Sequence, residues 1–110
     1  MTSTLGAMKA PLDRLIGMQL LSAGTDSEGS GLHFDGCMFA AYSRHESSVP
    51  LEELVGLKVL AVESQSNESL SIQFYGNQFF RVWTNATDYS GPEAFSARFS
   101  DGTWIIENGA

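Results

Sequence analysis

The segment Pro11-Leu12-Asp13-Arg14-Leu15-Ile16-Gly17-Met18-Gln19-Leu20-Leu21 recurs 39 positions later as Pro50-Leu51-Glu52-Glu53-Leu54-Val55-Gly56-Leu57-Lys58-Val59-Leu60. After one inserted residue the match resumes at a spacing of 40, pairing Leu32 with Ile72, Phe34 with Phe74, Gly36 with Gly76 and Phe39 with Phe79. A unit of about 40 residues is too short to bury a stable core by itself, so the two copies must share one interior. The chain of 110 residues therefore reads as a single domain, residues 1–110, with a pseudo-twofold inside it. The copies span residues 11–44 and 50–84, a C-terminal hairpin spans 93–107, and residues 1–9 read as a flexible N-terminal segment. Every matched position is apolar or a turn former, so the repeat constrains folding and is silent on chemistry.

Within each copy the opening Pro-Leu-acidic-x-Leu-aliphatic-Gly predicts a helix of one to two turns. Proline suits the first turn, acids favour the positive N-terminal end, and glycine closes it. Apolar stretches at residues 18–25 and 57–65 then run into polar hairpin loops. Residues 32–34 and 70–74 alternate apolar with polar, and a turn at Gly36 or Gly76 leads to further strands at 38–43 and 78–84. Each copy is thus a short helix plus a three-stranded antiparallel meander. In the tail, residues 94–99 and 103–106 flank Asp101-Gly102, a strong hairpin signal. The expected class is α+β, mostly antiparallel β, with about eight strands in one curved sheet or partly closed barrel. An open α+β sheet is the alternative.

Loop length assigns the faces, because partners across a two-residue hairpin turn differ by an odd number. Two-residue turns at Gly36 and Gly76 place Phe34 with Phe39 and Phe74 with Phe79. The second pair continues to Trp83, and Tyr75, Phe80 and Val82 occupy the reverse side. An Asp101-Gly102 loop puts Phe95, Ala97, Phe99, Trp104 and Ile106 together. A sheet apolar on both faces needs cover that two short helices supply only in part, so homodimerisation through the uncovered face is expected.

Six basic against thirteen acidic residues leave a net charge of −7, which repels phosphate backbones and excludes nucleic acid as the expected partner. A basic protein suits that charge better. The single cysteine, Cys37, has no disulfide partner and no metal-spaced neighbours, so it reads as a buried thiol. The chain shows neither a basic leader nor a run of about 20 apolar residues, and is expected to be cytoplasmic with no membrane partner. His33 and His45 are the only histidines, and neither stands in a nucleophile, metal or phosphate motif. No catalytic residue, metal site or cofactor is expected.

The polar loop at residues 85–93 replaces the shorter linker of the first copy, and loops carry binding more often than cores do. Asp88 and Tyr89 from that loop, with Arg81 and Trp83 on the preceding strand, are the candidate binding residues, since Tyr, Trp and Arg anchor recognition surfaces. Leu54-Val55-Gly56, an apolar strand, Leu-Ser-Ile-Gln-Phe-Tyr-Gly-Asn-Gln-Phe-Phe-Arg-Val at residues 70–82, and Gly91-Pro92-Glu93-Ala94 resemble small uncharacterised bacterial proteins, some of them immunity proteins or mobile-cassette products. The resemblance covers roughly residues 54–106 and implies an acidic inhibitor that occupies a basic cleft. The expected function is a non-enzymatic binding module, immunity-like in its acidity. The alternative is a small-molecule binder whose curved sheet encloses Phe74, Phe79, Trp83 and Trp104 around a pocket.

Overall fold

A computed structural model describes residues 12–27, 29–65, 68–84 and 94–107. Nine strands are described: β1 (Leu20–Asp26), β2 (Gly29–Phe34), β3 (Cys37–Ala41), β4 (His45–Ser47), β5 (Val59–Gln65), β6 (Ser69–Phe74), β7 (Gln78–Trp83), β8 (Phe95–Phe99) and β9 (Trp104–Glu107). They build two antiparallel sheets, one ordered β1-β2-β3-β8-β9 and the other β4-β7-β6-β5.

This architecture corrects the expected α+β class and the single curved sheet. Helical structure among the described residues is confined to Leu12, which leads into a 3-10 turn at Asp13–Leu15, and a second 3-10 turn at Leu51–Glu53. Neither sheet is closed or curled. The helices stop short because Ile16 is already extended (φ −60, ψ 126) and the following residues are drawn into pairing with the other copy. One turn suffices to drop Leu15 and Leu54 into the interior, where both are fully buried.

The single sheet fails for a topological reason. Strand β4 follows β3 in the chain yet pairs with β7, and β8 follows β7 yet pairs with β3. Each copy lends its fourth strand to the sheet of the other. The crossings are matched: Tyr42 N–H donates to the Ala94 carbonyl (2.8 Å), and Trp83 N–H donates to the Arg44 carbonyl (2.9 Å).

At the other end, Gln19 and Lys58, equivalent at the 39-residue spacing, form an antiparallel bridge with each other. The bonds around it come in reciprocal pairs. Gly17 N–H donates to the Val59 carbonyl (2.8 Å) and Gly56 N–H to the Leu20 carbonyl (2.7 Å). Val59 N–H donates to Met18 and Leu20 N–H to Leu57, each at 2.9 Å. Such reciprocity is the signature of a twofold relation, here within one chain.

The inner faces of the sheets meet in one core. Phe34 stacks on its equivalent Phe74 with centroids 6.3 Å apart, and Phe39 meets Phe80 edge-on at 6.2 Å. Phe95 stacks on Phe39 at 5.2 Å. These geometries add to the burial of the rings themselves. Bulges between Leu20 and Ser22 and between Val59 and Ala61 turn Leu21 and Leu60 out to solvent in both copies.

Loop length overturns two of the expected faces. The β2–β3 turn has two residues, and Phe34 and Phe39 share the core face. The β6–β7 loop has three, Tyr75-Gly76-Asn77, with Gly76 and Asn77 at φ +91 and +64. The extra residue rotates the strand, so Phe80 and Val82 are buried and Phe79 and Trp83 face outward. The β8–β9 loop also has three residues, Ser100-Asp101-Gly102, closed by Phe99 N–H to the Thr103 carbonyl (2.8 Å) and Gly102 at φ +95. Ile105 thereby joins Phe95, Ala97 and Phe99 inside, while Trp104 is 61 % exposed and Ile106 36 %.

Phe80→Ala should cost about 3 kcal/mol or more in urea melting, the scale of a forfeited buried phenylalanine, and distinctly more than Phe79→Ala. Trp104→Ala should cost less than about 1 kcal/mol. Equal costs of Phe79→Ala and Phe80→Ala would contradict the assignment of faces by loop length.

Candidate functional site

Arg81 and Trp83 are brought together on the outer face of the four-stranded sheet, where the register of β6, β7 and β4 aligns Ser71, Arg81 and Glu46 across the strands. Arg81 Nε donates to Ser71 Oγ (3.0 Å), and its guanidinium reaches Glu46 Oε2 at 3.4 Å. It lies 5.0 Å from the Phe79 ring and 6.0 Å from Trp83, and Arg44 covers Trp83 at 4.1 Å. These are cation–π distances. Leu60, Gln73 and Phe79 line a depression of about 230 Å³ beside the ladder. The charge of Arg81 is thus already answered within the fold. Asp88 and Tyr89 lie outside the described residues.

The enclosed aromatic pocket expected as the alternative is not formed. Phe74 is in the core, Phe79 and Trp83 are on one outer face, and Trp104 is on the outer face of the other sheet.

Sequence reasoning missed a pairing between Ser30 and His45. His45 Nδ1 lies 2.7 Å from the Ser43 carbonyl, which can only accept, so Nδ1 carries a proton. In the neutral ring Nε2 then accepts the Ser30 hydroxyl at 2.7 Å, and Ser30 Oγ accepts from Thr25 Oγ1 at 2.8 Å. The imidazole rests on Phe80 at 5.6 Å. The arrangement resembles a serine nucleophile with its base, yet Ser30 is only 3 % exposed and a substrate cannot reach it. Its role is a satisfied polar chain at the margin of the core. No spacing signal could have found it, because the two residues sit in different sheets.

The outer face of the five-stranded sheet is different. Strand registers align Ser22, His33, Met38, Arg98 and Trp104 in one rank across all five strands. The adjacent rank is Gly24, Gly31, Ala40, Ser96 and Ile106, mostly small, so the large side chains of the first rank stand clear of the sheet. Met38 is 49 % exposed. The Arg98 guanidinium lies 5.8 Å from the Trp104 ring and has no carboxylate partner among the described residues. It borders a depression of about 410 Å³ lined also by His33, Asp35, Met38 and Ser100. Ser100 N–H donates to the Gly36 carbonyl (3.1 Å), which ties the β2–β3 and β8–β9 turns into one rim. Asp35 on that rim accepts the Gln19 N–H at 3.3 Å.

Two ionisable groups near this depression are set by their surroundings. Burial pushes the Cys37 thiol up to about 11, outweighing the Arg98 backbone N–H and the Arg14 charge. Asp101 is held down to about 2, first by the Thr103 N–H at 2.9 Å, then by the Thr103 hydroxyl and Arg14. Arg14 itself is engaged by Asp101 at 2.9 Å and by the Phe99 ring at 4.3 Å. No three His, Cys, Asp or Glu side chains among the described residues converge as metal ligands.

Removing the imidazole with His45→Ala takes away the acceptor of the Ser30 hydroxyl and a donor to the Ser43 carbonyl, and should cost about 1–3 kcal/mol in chemical denaturation. The double change Ser30→Leu with His45→Phe installs the Leu70 and Phe95 of the other copy and should recover most of that loss. Folded Cys37 should resist alkylation until the pH approaches 11, because the thiolate is the reacting form. With the native pKa raised, the associated stability is intact below about 9 and is lost as pH climbs from 9 to 11. Rapid alkylation of the native protein at pH 8 would refute the buried-thiol assignment.

No helix among the described residues is long and apolar enough to cross a membrane. No protein-family model, curated protein or solved structure matches this chain, so the resemblance noted in the sequence stands on its own residues.

Proposed function

We propose that the protein is a non-enzymatic binding module, and that its ligand is a small anion, a carboxylate or phosphate ester carrying a flat apolar part. The observation that carries this reading is the state of Arg98. In a chain with thirteen acidic and six basic residues, a guanidinium without a carboxylate partner among the described residues is an unspent donor set. Arg81 and Arg14 both have such partners. Arg98 instead borders a depression whose volume falls in the range of small-ligand sites. Its planar fork matches carboxylate and phosphate oxygens. Met38 and Trp104, its neighbours in the rank, supply the apolar and aromatic surface for the rest of the ligand.

The reading as a binder and not a catalyst is supported by the burial of both candidate nucleophiles, Ser30 and Cys37. Asp35 and Ser100 on the rim offer an acceptor and a hydroxyl to a ligand's own donors.

Benzoate, phenyl phosphate and inorganic phosphate titrated into isotope-labelled protein should move the amide resonances of Arg98, Met38 and Trp104. Dissociation constants should fall in about the millimolar range, with the aromatic anions tighter. Arg98→Gln should weaken binding at least about tenfold. Arg81→Gln, whose guanidinium is internally engaged, should leave it unchanged, and added salt should weaken it. Absence of shifts around Arg98 with all three anions, or equal binding by Arg98→Gln, would sink the reading.

A further inference from the structure

The strand β9 lies at the edge of the five-stranded sheet and, among the described residues, pairs only with β8. An exposed edge is a template for another strand, and folded proteins blunt it with bulges, lysine, proline or brevity. Three of the four sheet edges here are blunted: β1 and β5 carry bulges at their starts, and β4 has three residues. Strand β9 reads Trp104-Ile105-Ile106-Glu107, with no bulge, lysine or proline among its residues.

Hydrogen-bond parity shows which groups are available. Phe99 N–H donates to the Thr103 carbonyl, so 99 and 103 are a bonded pair. Alternation along an antiparallel ladder then turns Ile105 toward Ala97. The N–H and C=O groups of Trp104 and Ile106 point away from β8, and no described residue bonds them.

We propose that β9 pairs antiparallel with β9 of a second copy of this chain, with Ile105 facing the partner's Ile105 across the twofold axis. Outward-pointing residues must face outward-pointing residues if the two outer faces are to stay on one side, so Trp104 can oppose Trp104 or Ile106 of the partner. Only the second choice uses all the free groups, since Trp104 and the partner's Ile106 then exchange both bonds, and so do the reciprocal pair. The same register lays each exposed indole beside an exposed isoleucine. A second copy suits this edge because the match is self-complementary, as an isologous interface requires. The result is a ten-stranded sheet through two protomers. The interface is small, below about 1,000 Å², so the dimer is weak, and the −7 charge on each copy makes salt favour it.

The proposal is argued from the β9 backbone and not from Arg98, although Trp104 belongs to both surfaces, so Arg98→Gln should dimerise as the parent does. Sedimentation equilibrium over a concentration series, with and without added salt, should show a reversible dimer strengthened by salt. Ile106→Pro removes an outward N–H that β8 does not use, so it should keep the parent melting curve and weaken the dimer at least about tenfold. Ile106→Lys, which leaves the backbone unaltered, should do the same. Amide exchange at Trp104 and Ile106 should slow as concentration rises, while Ile105 stays protected throughout. A protein that is monomeric up to about 1 mM, a dimer indifferent to both substitutions, or no concentration-dependent protection at Trp104 and Ile106 would overturn the proposal.

Discussion

The reciprocal exchange of strands between the two halves is the constraint on which the rest of this structure rests. Because β4 leaves the first meander to pair with β7, and β8 leaves the second to pair with β3, neither half can complete its own sheet. The matched bonds at Gln19 and Lys58 pin the opposite end. Together these fasten two sheets that otherwise touch only through side chains. Such cross-chain pairing has to be made after both meanders exist, so many of the stabilising contacts are distant in sequence. The stacked pair Phe34 and Phe74 sits between the two fastenings, where equivalent residues of the two copies meet.

A duplicated frame also exposes where the copies have parted. Phe95 on Phe39 and His45 on Phe80 occupy corresponding places at the crossings, one apolar and one polar. Ser30 likewise stands where the second copy has Leu70. The fold therefore tolerates an apolar pair here and carries a hydrogen-bonded one instead. A buried polar chain contributes little net stability when satisfied, but it penalises any packing that breaks it. Every member of this chain is satisfied, and no buried side-chain nitrogen or oxygen among the described residues lacks a partner.

The two outer faces show the same divergence in surface chemistry. Arg81 is enclosed by Glu46, Ser71, Phe79 and Trp83, so the four-stranded face presents a finished ladder. Arg98 has an aromatic neighbour but no carboxylate among the described residues, and it borders a concavity on the five-stranded face. The candidate residues chosen from sequence included Arg81 and Trp83, because residue type alone marks both arginines and tryptophans as anchors. Which guanidinium is already occupied depends on strands far apart in the chain. Glu46 reaches Arg81 only because β4 crosses to the second sheet.

From the sequence by itself came the duplication, the antiparallel meanders and the shared apolar core, since these follow from repeated spacing and local alternation, whereas the short strand β4 was hidden in a polar link. Loop positions were legible too, because glycine and asparagine announce turns. Loop lengths were not. One extra residue, Asn77 in one hairpin and a three-residue Ser100-Asp101-Gly102 loop in another, exchanged Phe80 for Phe79 and Ile105 for Trp104 at the core. Side chains alternate with period two, so a single residue reverses a whole strand. The short helices dissolved into single turns because Gly17 and Gly56 are committed to the bridge between copies. Tertiary structure alone decided the partition into two sheets, the exchange of fourth strands and the lack of a carboxylate beside Arg98 among the described residues. Each depends on which distant strand a segment meets, and local pattern carries no record of that.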